Sequence, residues 1–162
     1  TLRCIDGIPR AVALLALRAA LADHEESCNH TSPKYKVYIE NIACFNKGGL
    51  QFHHCVNDAF ASFRTAVEKV PGREKINYVC CYYYDLQECF ERTLQESCNR
   101  SEVRQYFTDI LNDVFGDLLV LTCGPYQPGS QECRALPALV KVEATGVISI
   151  IEPLTDLVQS FG

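Results

Sequence analysis

The chain has 162 residues, of which 48% are hydrophobic and 22% are charged, a balance typical of one globular domain with a substantial core. Its net charge of -5 is spread along the sequence without a basic cluster, so we expect neither nucleic acid nor an anionic membrane surface as a partner. No apolar run reaches the roughly 18 uninterrupted residues of a membrane-spanning helix, and transmembrane anchoring is not expected either.

The first half of the chain shows helical periodicity in three stretches. Residues 9–23 are rich in alanine and leucine, which favour helices. A second helix is predicted over residues 35–45, where apolar side chains recur every three or four positions, and Gly48 with Gly49 is expected to end it. A continuous apolar stripe over residues 52–70 predicts the third helix.

The second half of the chain continues the helical pattern. A fourth helix is predicted over residues 74–97. A fifth begins after Asn99, which together with Glu102 resembles a helix-capping box, and it ends before the proline- and glycine-rich loop at residues 125–132. Residues 136–162 form an apolar C-terminal segment that lies beyond the last cysteine.

Ten cysteines are scattered irregularly through the sequence. They are Cys4, Cys28, Cys44, Cys55, Cys80, Cys81, Cys89, Cys98, Cys123 and Cys133. An even count without a C-x-x-C motif favours five disulfides in an oxidising compartment over a zinc site or a redox motif. The whole pattern predicts one domain, residues 1–162, built as an all-α, disulfide-stapled bundle of about five to six helices.

Two of these cysteines, Cys80 and Cys81, are adjacent on the predicted fourth helix. Neighbouring residues on a helix point about 100° apart, so the two thiols cannot usefully bond to each other and are expected to reach different partner segments. Together with Cys89, they make the fourth helix the expected centre of the disulfide network. The spacing of the cysteines does not determine which of them pair.

Two N-glycosylation sequons support an extracellular location. Asn29 and Asn99 each begin an Asn-x-Ser/Thr motif, and each follows a cysteine in a polar segment between apolar stretches. The sequence begins at Thr1 without a signal peptide, as expected for a processed, mature form. We therefore expect a secreted extracellular glycoprotein that carries glycans at Asn29 and Asn99.

No catalytic or metal-binding motif is recognisable, and we expect a protein that is not an enzyme and has no cofactor. The stretch from Cys80 to Asp85 is similar to the double-cysteine helix of secreted phospholipases A2, but Tyr84 stands where that motif has its catalytic histidine. His53 and His54 are adjacent and so point in different directions on a helix, which argues against a shared metal ion.

Two groups of residues are candidates for contact with a ligand or a second protein. The first is a tyrosine cluster on the fourth helix, whose amphipathic rings are suited to line a pocket, although ordinary core packing is the alternative. The second is the C-terminal segment, which is expected to close the core, to cover a cavity or to form an interface. The candidate residues are Tyr78, Tyr82, Tyr83, Tyr84, Ile148, Ile151, Leu154, Leu157, Val158 and Phe161.

The segment CCYYYDLQEC at residues 80–89 is followed by Cys98, Cys123 and Cys133. This arrangement resembles the arthropod 27 kDa hemolymph glycoprotein family, whose secreted helical chains have a central CC-aromatic-x-x-D-x-x-x-C stretch followed by a further cysteine. The resemblance covers the middle and later parts of the chain. It implies a secreted, helical protein of the hemolymph and brings no catalytic residue with it, because the family has no settled biochemical activity.

Three functions remain open at this point. The leading hypothesis is a non-enzymatic extracellular glycoprotein that binds a lipid or another apolar small molecule between its helices. The alternative is a structural protein that self-associates into oligomers through the C-terminal segment. A phospholipase-like enzyme is the third hypothesis and has the least support, because Tyr84 replaces the imidazole that such chemistry needs.

Overall fold

The computed structural model describes residues 7–142, and within that range it shows an all-α protein without a β-strand. This confirms the predicted fold class and the predicted number of helices. The helices are α1 (Gly7–Cys28), α2 (Pro33–Glu40), α3 (Ile42–Lys69), α4 (Glu74–Ser97), α5 (Ser101–Cys123) and α6 (Gln131–Ala135). Within the described range, no helix is both long enough and apolar enough to cross a membrane.

Helices α3 and α4 run antiparallel and form the main helix pair of the fold. A short turn at residues 70–73 joins them, and disulfides link them at two further levels, Cys55 to Cys89 and Cys44 to Cys98. The pair is therefore connected at both ends, by the chain itself at one end and by a covalent cross-link at the other.

One cluster of the core lies at the turn end of this helix pair. Ala66 is fully buried there, and Val70 and Tyr78, which contact it, are almost fully buried. Leu136 and Leu139, from the segment after α6, pack against the same cluster. The core therefore combines residues of both helices with residues from a later part of the chain.

Residues 136–142 lie against α3 and α4. The Tyr78 hydroxyl donates a hydrogen bond of 3.1 Å to the carbonyl oxygen of Pro137, and the Val142 amide donates one of 3.0 Å to Thr65 Oγ1. The described part of the C-terminal segment thus helps to close the core, which is one of the three roles expected for it. Outside the described residues lie Ile148, Ile151, Leu154, Leu157, Val158 and Phe161.

Lys34 joins α1, α2 and α5. Its Nζ lies 2.5 Å from Asp23 Oδ1 of α1 and 2.8 Å from Asp113 Oδ2 of α5, and the Lys34 side chain is 11% exposed. Burial alone would lower the pKa of Lys34, but the hydrogen bonds and charges of Asp113 and Asp23 outweigh burial and raise it. Lys34 therefore remains charged and holds α1 against α5.

The structure corrects the expected helix stop at Gly48 and Gly49, because α3 continues through both. Gly48 is buried where α3 passes the end of α4, and a Cβ atom there would lie 2.8 Å from Phe52 Cε2 and 2.9 Å from Ser97 Oγ. The missing side chain at Gly48 thus permits the close approach of two helices and does not end one.

The helix break falls instead at Asn41, between α2 and α3. The Asn41 side chain is buried, its Nδ2 donates to the carbonyl oxygen of Val37 at 2.9 Å, and its Oδ1 accepts from Arg100 Nη1 at 2.6 Å. A side chain that bonds the preceding turn competes with a continuous helix. The helix predicted over residues 35–45 is therefore divided between α2 and α3.

The predicted capping box at Asn99 and Glu102 is also wrong. The N-cap residue of α5 is Arg100, and it makes no side-chain capping bond. Asn99 has a φ of 47°, and its Oδ1 accepts a hydrogen bond of 3.2 Å from Arg104 Nη1. The left-handed backbone at Asn99 reverses the chain after α4. The Asn99 side chain is hydrogen-bonded to Arg104, one turn into α5, and does not cap the helix.

Replacing Gly48 by alanine tests the close approach of α3 to α4. Alanine raises helix propensity by up to about 1 kcal/mol relative to glycine. At this position, however, its Cβ atom must displace the Phe52 ring, which packs against Phe90 and Phe107. We expect G48A to lower the free energy of unfolding by about 1–3 kcal/mol, measured by urea denaturation.

Gly49 supplies the matched control, because a Cβ atom there meets nothing within 4 Å. G49A should raise the free energy of unfolding by about 0.5–1 kcal/mol. Equal and stabilising effects of the two substitutions would contradict the role assigned to Gly48.

Candidate functional site

Four disulfides cross-link the described part of the chain, and each has one cysteine in α4 or at its C-terminal cap. The pairs are Cys44–Cys98, Cys55–Cys89, Cys80–Cys123 and Cys81–Cys133. Cys80 and Cys81 thus reach different segments, α5 and α6, as the sequence predicts. Cys28 is exposed and has no disulfide partner among the described residues, and Cys4 lies outside them.

A groove lies between α4 and α5. The two helices run antiparallel, because residues 98–100 connect them at one end and Cys80, near the start of α4, is bonded to Cys123 at the end of α5. Both ends of the pair are thus covalently connected, and a groove of about 340 Å³ that is open to solvent on one side lies between the two helices and the loop after α5. This volume lies at the lower end of the range for small-molecule sites. The lining residues are Tyr84, Gln87, Phe90, Glu91, Leu94, Arg104, Phe107, Thr108, Leu111, Asn112, Gly116, Leu119, Val120, Gln127 and Pro128.

The floor of the groove is apolar. Phe90 contributes from α4, and Phe107 and Leu111 contribute from α5. Leu94 of α4 also borders the groove but is only 2% exposed, so it belongs to the core beneath the floor. The Phe90 and Phe107 rings meet edge to face at 5.8 Å between centroids, and the Phe52 ring stacks on Phe107 at 5.1 Å. Because three aromatic rings support one another, the floor is a packed wall and not a set of mobile side chains.

Polar side chains stand at the two ends of the groove. At the α4–α5 connection, Arg104 Nη1 donates to Asn99 Oδ1 at 3.2 Å. At the other end the Tyr84 hydroxyl donates to Gln127 Oε1 at 3.3 Å. Burial raises the pKa of Tyr84, so this hydroxyl is protonated at neutral pH. An apolar floor with polar ends is suited chemically to an amphipathic molecule.

Gly116 lies on the α5 side of the groove. A Cβ atom at Gly116 would meet only Asn112 Cβ, at 3.8 Å, which is an ordinary contact. Gly116 is one of the residues that line the groove, so a larger side chain at this position has room to extend and is expected to fill part of it.

Of the four tyrosines predicted as ligand or interface residues, Tyr84 lines this groove. Tyr78 is buried in the core, and Tyr82 packs against it with ring centroids 6.1 Å apart. Tyr83 is 8% exposed, and its ring lies 5.7 Å from that of Phe115. Three of the four rings thus take part in helix packing, the alternative given for the cluster, and one reaches the groove.

From the sequence, the residues of the groove floor can be recognised only as members of the apolar stripes of α4 and α5. Helical periodicity identifies Phe90, Phe107 and Leu111 as apolar positions, but it does not say which stripes face each other. The one local signal is Gly116, because a glycine inside an apolar helix costs up to about 1 kcal/mol and so indicates a need for space.

Both sequon asparagines are exposed. Asn29 Oδ1 accepts hydrogen bonds from the Thr31 hydroxyl at 2.8 Å and from the Thr31 amide at 3.0 Å, which forms an Asx turn. Within the described chain, Asn29 Nδ2, the atom that a glycan would join, makes no hydrogen bond. Asn99 lies in the α4–α5 connection, beside the Arg104 end of the groove.

The adjacent histidines do not form part of a metal site in the described structure. His53 and His54 are both exposed on α3. Their neighbour Cys55 is bonded to Cys89 and is therefore not a free ligand. Over residues 7–142, no group of three or more His, Cys, Asp or Glu side chains is placed to hold a metal ion.

No protein-family model, curated protein or solved structure matches this chain. The resemblance to the hemolymph glycoprotein family therefore stays a prediction that rests on the cysteine pattern at residues 80–89 and beyond. The groove is accordingly interpreted from its own residues.

Tyr83 provides a pH test of the packing beside the groove. Burial raises the pKa of Tyr83, the neighbouring Tyr84 adds to the shift, and a hydrogen bond from Gln87 opposes it. The unfolded chain loses the phenol proton near pH 10, whereas the folded chain keeps it to higher pH. The stabilising effect is therefore fully present below about pH 10 and is lost as the pH rises further.

Between about pH 8 and about pH 10.5, we expect the free energy of unfolding of the parent to fall by up to about 1 kcal/mol more than that of Y83F. Phenylalanine keeps the ring and cannot ionise, so this variant lacks the Tyr83 contribution. Urea denaturation at the two pH values measures the difference. An identical pH dependence in both proteins would rule out a buried, protonated Tyr83.

Proposed function

We propose that this protein is a non-enzymatic extracellular glycoprotein that binds a lipid or another apolar small molecule between α4 and α5. The observation that carries the proposal is the groove of about 340 Å³ with its floor of Phe90, Phe107 and Leu111. A site of this size accommodates one small molecule or one end of a longer chain. Binding there would remove apolar surface from water at a gain of roughly 25 cal/mol per Å².

The polar residues around the groove favour an amphipathic ligand. Arg104 and Glu91 line it from opposite helices, so its rim offers one cation and one anion. A guanidinium is suited to the carboxylate or phosphate of a lipid head group. Tyr84 offers a neutral hydroxyl at the other end. These groups would orient a molecule whose apolar part rests on the floor.

The cross-links and the sequons support an extracellular location. Disulfides persist in oxidising compartments and are rare in the cytosol, and residues 7–142 contain four. Asn29 and Asn99 are exposed, as residues that carry glycans must be. Together these features support a glycoprotein that works outside the cell.

No catalytic role is proposed. Tyr84 stands where the phospholipase motif has its histidine, and its hydroxyl donates to Gln127 Oε1. Burial raises the pKa of Tyr84, and a phenol with a raised pKa is not a general base at neutral pH.

Self-association through residues 136–162 is the alternative proposal. In its described part, Leu136 and Leu139 pack against the core, whereas Val140 is 79% exposed. The other apolar residues on which the alternative depends lie beyond residue 142. Ligand binding is preferred, because its groove consists wholly of described residues.

Filling the groove at Gly116 should abolish ligand binding. G116L places a side chain where a Cβ atom meets only Asn112 Cβ, so leucine can enter the groove while it improves helix propensity. We expect a dansyl-labelled fatty acid to bind the parent protein, with a fluorescence increase. Its affinity for G116L should be at least about tenfold lower, which corresponds to about 1.4 kcal/mol.

G49L is the matched control, since it adds the same side chain at a helical glycine whose Cβ position meets nothing within 4 Å. This variant should bind the probe as the parent does. A parent that binds no probe, or equal binding by G116L and G49L, would remove the support for the groove as the site. Native mass spectrometry of gently purified protein should also detect a bound molecule.

A further inference from the structure

The loop at residues 124–130, which we call the α5–α6 loop, is held to α4 at both of its ends. Cys123, at the end of α5, is bonded to Cys80, and Cys133 of α6 is bonded to Cys81. Because Cys80 and Cys81 are adjacent on α4, both ends of the loop are fixed at neighbouring positions of one helix. The loop therefore keeps its place beside the start of α4.

Hydrogen bonds within the α5–α6 loop restrict its conformation further. The Ser130 amide donates to the carbonyl oxygen of Gln127 at 3.0 Å. Gln127 Nε2 donates to the carbonyl oxygen of Gly124 at 2.8 Å, and its Oε1 accepts from the Tyr84 hydroxyl of α4 at 3.3 Å. A compact loop that is bonded at both ends and hydrogen-bonded within itself has few conformations open to it.

This loop forms a wall at one end of the groove between α4 and α5. The wall consists of Tyr84 from α4 and of Gln127 and Pro128 from the loop, and Arg104 lies at the opposite end. Along α4 the lining residues extend from Tyr84 to Leu94, which is roughly 15 Å at 1.5 Å per residue. An extended chain advances about 1.2 Å per bond, as the polypeptide backbone does, so about twelve bonds span this distance.

Arg104 is available to a ligand at the other end of the groove. Among the described residues, its one side-chain hydrogen-bond partner is Asn99 Oδ1, at 3.2 Å from Nη1. A guanidinium has five N–H donors, so four remain for an anion. Glu91 of α4 also lines the groove but is exposed, and solvent weakens its field more than that of the half-buried Arg104. The groove thus favours an anionic group at Arg104.

We infer that the ligand is a single-chain amphiphile with an anionic head group, and that the wall at Tyr84 and Gln127 limits the length of its chain. Arg104 binds the carboxylate or phosphate, and the chain lies on Phe90 and Phe107 until its end meets the wall after about twelve bonds. The inference rests on the proposed function, because it assigns a class of ligand and a length limit to the same groove.

The wall limits chain length because only CH2 groups on the floor leave water. Full burial of one CH2 group raises affinity about fourfold. The groove is open to solvent on one side, so we expect about half of that free energy, or about twofold for each CH2 group. A chain that is longer than the floor extends into solvent beyond the wall and gains nothing more.

Displacement of a dansyl-labelled fatty acid tests the length limit in the parent protein. The competitors are octanoate, decanoate, dodecanoate and palmitate, each below its critical micelle concentration. We expect the affinity to rise roughly fifteenfold from octanoate to dodecanoate, and to change by less than about twofold from dodecanoate to palmitate.

Removing the two side chains of the wall should move this limit. In Y84A combined with Q127A, palmitate should bind at least about fourfold more tightly than dodecanoate. Y84F is the matched control, since phenylalanine keeps the ring and loses only the hydrogen bond to Gln127, and it should have the length profile of the parent. Reduced stability alone would weaken the binding of all four acids by a similar factor and would not move the limit.

R104Q tests the position of the anionic head group. This variant should bind dodecanoate about tenfold more weakly than the parent and bind dodecanol, which has no charge, within about twofold of the parent. E91Q is the matched control, because it removes a charge from the other wall of the groove, and it should not weaken the binding of dodecanoate. Dodecyl phosphate, measured in parallel, distinguishes a phosphate ligand from a carboxylate, and tighter binding of either anion than of dodecanol supports the inference.

The outcomes that contradict the inference separate it from the proposed function. A parent that binds none of these molecules would overturn both. If the parent binds the acids but prefers palmitate to dodecanoate severalfold, or if Y84A with Q127A keeps the length profile of the parent, the length limit is wrong and the groove remains a binding site. Equal effects of R104Q on dodecanoate and dodecanol would overturn the anionic head group in the same way.

Discussion

Helix α4 is bonded to other parts of the chain at four points along its length. Cys80 and Cys81 hold α5 and α6 near its start, and Cys89 and Cys98 hold α3 towards its end. The bonded cysteines are separated by between 34 and 54 residues in the sequence. In the chain-entropy model, closing each such loop lowers the conformational entropy of the unfolded chain and destabilises it by roughly 4 kcal/mol. The positions of α3, α5 and α6 all depend on these cross-links to α4.

The same cross-links explain how a groove persists in a small protein. Close packing would favour movement of α5 towards α4 until the space beside Gly116 was filled. The bond between Cys80 and Cys123 at one end and the three-residue connection at the other fix the separation of the two helices. The stacked rings of Phe52 and Phe107 fill the volume behind the floor. Apolar surface between α4 and α5 therefore remains exposed.

Local features of the chain could be predicted from the sequence, and features that depend on neighbouring segments could not. Periodicity alone predicts α4 at Glu74–Ser97, and helix geometry alone requires different partners for Cys80 and Cys81. The stop expected at Gly48 fails because the close approach of Ser97 and Thr93 of α4, which lie far along the sequence from Gly48, decides its role. The groove could not be predicted for the same reason, since it depends on which cysteines pair and so on which apolar stripes face each other.

Disulfide mapping of the non-reduced protein by mass spectrometry tests most directly whether α4 is the common partner of α3, α5 and α6. Because Cys80 and Cys81 are adjacent, the fragmentation step must break the peptide bond between them to distinguish their partners. We expect Cys80 to be bonded to Cys123 and Cys81 to Cys133. A map that joins Cys80 to Cys133, or that joins α4 cysteines to one another, would contradict the arrangement on which the groove depends.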